Sequence, residues 1–215
     1  MLAVVTVLAQ GHLSRRSVLG TSAAIACSPS GASSTAMVPP APVAEEPESA
    51  LKLLQLCEDR RPSSWRPDEC AEVDELIDEV VSLKAPWVRE DLAGKWRLAY
   101  LQPGPDGAGV DRRVPFPELP WNDSFQIFGP ASVTNVGELL GPLLEVRVSG
   151  SLAEADTLDI TAPKRFQATI DSGKLCLANT ACAPLPIQGV GLFDGLYLGK
   201  RLRIGQNING GGVRC

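Results

Sequence analysis

Asp91-Leu92-Ala93-Gly94-Lys95-Trp96-Arg97-Leu98-Ala99-Tyr100 joins an acidic, helix-rich segment to a long strand-rich one, and it reads as the first strand of a small antiparallel barrel. Trp96, Leu98 and Tyr100 recur at period two, with Lys95, Arg97 and Ala99 between them, the alternation of a sheet with one buried face. Beyond it the chain is punctuated by Gly, Pro and Asn/Asp into short candidate strands. These are 95–102, 124–129, 132–139, 143–149, 157–161, 165–170, 174–178, 195–198 and 201–205. Leu144, Val146 and Val148 alternate with polar neighbours, as do Phe166, Ala168 and Ile170, and Asp171-Ser172-Gly173 reads as a hairpin turn. Many short strands with one apolar face fit a closed or nearly closed antiparallel barrel better than a sandwich of two open sheets. The fold class is mainly β (α+β), with the barrel over 91–215. Pro103 to Pro120, rich in Gly and Pro, reads as a long first connection suited to act as a lid or docking surface.

Working outward toward the N-terminus, residues 48–90 predict two short helices that pack on the barrel. Glu48 to Asp59 carries Leu51, Leu53, Leu54 and Leu56. The second helix has Pro67 at its first position, Asp68 and Glu69 in the first turn, and Val73, Leu76, Ile77, Val80 and Val81 at helical spacing before the terminator Pro86. A Pro-rich linker occupies 37–47. Residues 1–36 predict a targeting segment: Arg15-Arg16 precedes a short, weakly apolar run, a twin-arginine pattern, and Ser34-Thr35-Ala36 suits cleavage after Ala36. Its apolar run of about ten residues is too short to span a bilayer, which takes roughly 20.

All 25 acidic residues lie at or after Glu45 and only Arg15 and Arg16 of the 20 basic ones precede it, so 37–215 carries 18 positive against 25 negative charges, a net −7. Such a body repels phosphate backbones, and nucleic acid is excluded as a partner. His12 is the sole histidine and lies ahead of the twin arginines. A body without histidine has no Ser-His-Asp or Cys-His catalysis and lacks the commonest zinc and iron ligand. No P-loop or strand-linked Gly-x-Gly-x-x-Gly occurs either. We therefore expect no catalytic residues, no metal and no cofactor. If the body is exported, its cysteines can pair. Cys57 with Cys70 and Cys176 with Cys182 are the candidate disulfides, with reduced, buried thiols as the alternative.

Three ordered stretches resemble the plastid lipid-associated proteins, also called fibrillins or plastoglobulins: Leu92 to Tyr100, Val133-Thr134-Asn135-Val136, and Phe193 to Ile204 followed by Gly210-Gly211-Gly212. The resemblance implies a lipocalin-like barrel that binds a lipid or other apolar small molecule, such as a prenylquinone, and supports photosynthetic membranes. It implies a chloroplast protein of the thylakoid lumen, with plastoglobule or stroma as alternatives, or the periplasm if the host is bacterial. The partner would be the thylakoid membrane surface. In a second reading the chain is a structural or assembly subunit of a photosynthetic membrane complex, without a ligand. Only Val213-Arg214-Cys215 follows Gly212, shorter than the closing strand such a barrel is expected to have.

The expected ligand-contacting residues are Leu98, Tyr100, Phe125, Ile127, Val146, Phe166 and Leu196, with Val148, Ile170 and Leu175 as further in-facing positions. The resemblance also implies a structural latch at the closed end, in which Arg203 from the last strand covers Trp96 on the first. Gly94 opens that first strand. Asp194 is expected to pair with Arg201 or Arg203, with facing a ligand head group as the alternative, and Asn135 to bond a neighbouring strand end.

Overall fold

A computed structural model describes residues 46–102, 119–155, 161–178 and 180–208, together with the backbone course of 5–10. The described fold is mainly β. Nine strands form one antiparallel sheet: β1 (Val5–Gln10), β2 (Gly94–Leu101), β3 (Ser124–Phe128), β4 (Ser132–Glu138), β5 (Leu144–Glu154), β6 (Lys164–Leu177), β7 (Ala181–Leu185), β8 (Gly189–Leu198) and β9 (Leu202–Asn207). Their order is β5-β4-β3-β2-β1-β9-β8-β6-β7, and β5 also pairs with β6, which makes the sheet barrel-like. Strands β7 and β8 lie end to end along one edge of β6, β7 on residues 173–177 and β8 on 164–170. Because β7 pairs only with β6, its outer edge tolerates Pro184, which cannot donate to a ladder.

Strand β1 falls within the segment read for its arginines. It pairs with β2 (Gln10 opposite Trp96) and with β9 (Leu8 opposite Arg203), standing where a closing strand was wanted. The twin arginines, the cleavage site, most of the linker and 103–118 lie outside the described residues, as do 157–160 of the candidate strand 157–161.

The helices are α1 (Glu48–Cys57), α2 (Pro67–Ser82) and the short α3 (Arg89–Leu92). Local chemistry sets the start of α2: Pro67 needs no N–H partner at the first position, and the Glu69 carboxylate accepts from the Arg66 amide at 3.0 Å. Lys84 turns to φ 45° at the helix end, and Pro86 prevents resumption. Leu53 and Cys57 of α1 and Val73, Ile77 and Val80 of α2 bury against Ala99, Tyr100, Tyr197, Leu202 and Ile204 on the outer face of the sheet. Each such aliphatic burial contributes about 1.5–3 kcal/mol.

Two β-bulges make that outer face. On β2, Tyr100 stands opposite Val7 but Leu98 opposite Leu8, so Ala99 is an extra residue and the alternation breaks there. On β8, Leu196 is extra between Gly195 and Tyr197. Trp96 and Leu98 therefore join the inner cluster, whereas Ala99, Tyr100, Leu196 and Tyr197 pack against the helices. A third bulge replaces an expected turn. Asp171-Ser172-Gly173 is no hairpin but the middle of the continuous β6; the long partner β5 runs past it, and Asp171 is absorbed between Ser149 opposite Ser172 and Gly150 opposite Ile170.

A candidate ligand site inside the barrel

The inner face has two halves. At one end Trp87, Leu92, Trp96, Phe128, Val133, Leu152, Phe166 and Leu198 form a buried cluster. Phe166 stacks on Phe193 with centroids 5.2 Å apart, and Trp87 meets Phe166 at 5.5 Å. Gly195 admits Trp87: a Cβ there would stand 2.2 Å from the indole Cη2. The Trp96 indole N–H donates to the Leu92 carbonyl at 2.9 Å, which satisfies its polar atom inside the cluster.

Arg203 lies on top of this aromatic floor. Its guanidinium sits 4.5 Å from the Phe128 centroid and 5.5 Å from that of Phe193, and Nη1 donates to Gln126 Oε1 at 2.7 Å. Gln126 in turn donates to Asn135 Oδ1 at 2.9 Å, so three strands share one polar chain. Arg203 is 2% exposed, its Nε has no hydrogen-bond partner, and it makes no ion pair among the described residues. Burial pulls its pKa down to about 9, still above neutrality, so the group carries a charge.

Beyond Arg203 the interior changes character. By strand register Gly137, Gly189 and Gly191 occupy inner positions, and at each a Cβ would meet nothing within 4 Å. Val146, Val148, Ile170 and Leu175 share that half of the inner face. Its end carries an apolar rim built from two turns and the approach to β3. Trp121, Leu140, Leu143 and Leu177 are each at least half exposed. Asn122 ties this rim together, donating to the Leu139 carbonyl at 2.9 Å and accepting from the Gly141 amide at 2.8 Å. The Ala178 amide donates to the Leu143 carbonyl at 2.7 Å.

No protein-family model, curated protein or solved structure matches the chain.

Of the expected contact residues, Leu98 and Val146 lie on the inner face and Phe166 fills the aromatic floor. Four do not face inward. Tyr100 is turned out by the Ala99 bulge, donates to Asp74 Oδ1 at 2.8 Å and meets Trp65 edge-on at 5.4 Å. Leu196 is the extra residue of its own bulge and packs on the helical cluster. Phe125 and Ile127 alternate with the inward Gln126 and Phe128 and so face out; the Lys95 ammonium covers the Phe125 ring at 3.6 Å. Ile127 lines a cleft of about 380 Å³ on the outer face with Thr134, Arg147, Ser149 and Lys174.

The expected latch is also rearranged. Among the described residues the Arg203 guanidinium reaches past β1 and β2 to Gln126 and the Phe128 ring on β3, and it is not seated on the Trp96 ring. Arg203 covers phenylalanines instead. Gly94 opens β2 at φ 143°, a conformation that favours glycine. Asp194 pairs with neither Arg201 nor Arg203: it points outward to Arg165, which binds it bidentately at 2.8 and 2.8 Å. Asn135 bonds the Gln126 side chain in the interior rather than a strand end.

Cys176 and Cys182 stand directly opposite on β6 and β7 and form a disulfide. Cys57 and Cys70 are both free thiols. Cys57 is sealed between α1 and the sheet, where burial lifts its pKa to about 12, and Cys70 lies in the first turn of α2, apart from it. Among the described residues no group of three His, Cys, Asp or Glu side chains could hold a metal.

Proposed function

We propose that this chain is a non-catalytic, lipocalin-like barrel of the plastid lipid-associated type that binds a lipid or prenylquinone and works at the thylakoid membrane, on its lumenal side. One observation carries the reading. The inner face is filled with aromatic rings at one end and lined with glycine and aliphatic side chains at the other, below an exposed Trp and Leu rim. Inner positions without side chains beside a packed floor suit a slender apolar molecule, for which burial against carbon is the driving force. The rim offers a lipid surface a place to touch, since tryptophan and leucine at loop tips favour a membrane interface. The non-catalytic part rests on the absence of histidine after residue 12.

The same rim also suits a protein surface, which favours the second reading, an assembly subunit on a photosynthetic complex without a ligand. Extraction separates the two. The protein is purified from its native cell, and organic-soluble material is quantified by mass spectrometry. Stoichiometric lipid supports the first reading; a ligand-free barrel that co-migrates with a photosystem on native gels supports the second and overturns the first. The compartment is tested by sequencing the mature N-terminus. Cleavage after Ala36 would also remove β1 and leave the facing edges of β2 and β9 without their shared partner.

A further inference from the structure

We propose that the barrel's ligand is an amphiphile with a single carboxylate head group, seated head-inward on Arg203 with its tail along the glycine-lined half toward the rim. This rests on the reading that the barrel binds an apolar molecule, and it narrows that molecule from neutral lipids and quinones to anionic ones.

A buried guanidinium without an anion is a costly thing to fold around. It has five N–H donors. Among the described residues one acceptor, the neutral Gln126 Oε1, meets it at 2.7 Å, and Nε is buried without a partner. The Phe128 and Phe193 faces return part of the desolvation cost, about 2 kcal/mol for a desolvated cation on an aromatic ring. A purely structural latch would need only that stacking. The nearest acid on the same hairpin, Asp194, is held outward by Arg165.

Gly205, two residues along β9, lets the guanidinium lie against its backbone: a Cβ there would stand 3.3 Å from Arg203 Nη2. Gln126 holds Nη1 while Asn135 holds Gln126, so the guanidinium is oriented before any ligand arrives. A carboxylate is flat and can take the Nη donors that Gln126 leaves over, forming charge-assisted bonds about twice as strong as neutral ones. The chain attached to it would then run past Gly191 and Gly189, where side chains are absent.

The test uses the full chain, delipidated, with the neutral probe N-phenyl-1-naphthylamine in the barrel. Hexadecanoate, hexadecanol, methyl hexadecanoate and hexadecyl phosphate compete for it at pH 8, below their micelle concentrations. Hexadecanoate should displace the probe at least roughly tenfold better than the alcohol and the ester, a difference of about 1.4 kcal/mol. In Arg203→Gln that preference should fall within about threefold while the probe still binds; Arg203→Lys should keep part of it. Equal displacement by acid and alcohol overturns the proposal in the unmodified protein, whether or not the variants fold. Tighter binding of the phosphate overturns the choice of carboxylate. If the probe and all four competitors fail to bind, the ligand-binding reading itself falls; if they bind without preference, only the head-group assignment does.

Discussion

On the inner face of one half of the barrel stand Trp87, Trp96, Phe128 and Phe166; on that of the other stand Gly137, Gly189 and Gly191, with Arg203 at the boundary. The first half packs as protein interiors do, with its rings in contact with one another. The second leaves inner positions without side chains, which a protein selected for stability alone would fill, because buried apolar contact stabilises. One eight-stranded ring of pairings thus carries both: an aromatic end packed ring on ring, and an end whose inner positions include three glycines.

That division can be broken by substitutions on either side of it. Phe166→Ala, in the middle of the ring stack, should cost the most, about 3–5 kcal/mol by chemical denaturation, because the packed floor cannot collapse around the hole. Gly195→Ala drives a methyl into Trp87 and should cost about 1–3 kcal/mol. Tyr100→Phe, on the outer face, removes the bond to Asp74 and should cost about 1 kcal/mol with no change in probe affinity. A change in affinity would return Tyr100 to the lumen. The smallest effect is on pH dependence. Cys57 has its folded pKa raised by burial to about 12, so between its unfolded pKa and 12 the unfolded state binds fewer protons and stability falls as pH rises. Arg203, lowered to about 9, acts with the opposite sign over that range. The difference between the unmodified protein and Cys57→Ala isolates the thiol: it should be constant below pH 8 and shift in favour of the variant above pH 9.

Local signals carried much of the architecture. Pro67, Asp68, Glu69 and the spacing of Val73, Leu76, Ile77 and Val80 fix α2 within its own sequence, and the alternation around Val146 and Phe166 gives the faces of β5 and β6. The misplaced residues depend on partners distant in the chain. Nothing in Leu98-Ala99-Tyr100 announces that β1 skips Ala99, and Asp171-Ser172-Gly173 has turn composition yet is held extended by β5. Leu202-Arg203-Ile204 is a further case. The helices cover the outer face, so Leu202 and Ile204 bury there and Arg203 turns into the barrel, but which rings it covers depends on β1. Glycines read as strand breakers, which hid the first half of β8 and the open half of the lumen with it.

The division itself is tested most directly by filling the open half without touching the floor. Gly191 has ordinary strand geometry and open space where a side chain would go, so Gly191→Leu adds bulk to the lumen at little strain. Titration of N-phenyl-1-naphthylamine into this variant should show affinity reduced at least roughly tenfold, equivalent to about 1.4 kcal/mol, with the unfolding midpoint unchanged or higher. Unaltered affinity in a folded Gly191→Leu protein would contradict the account.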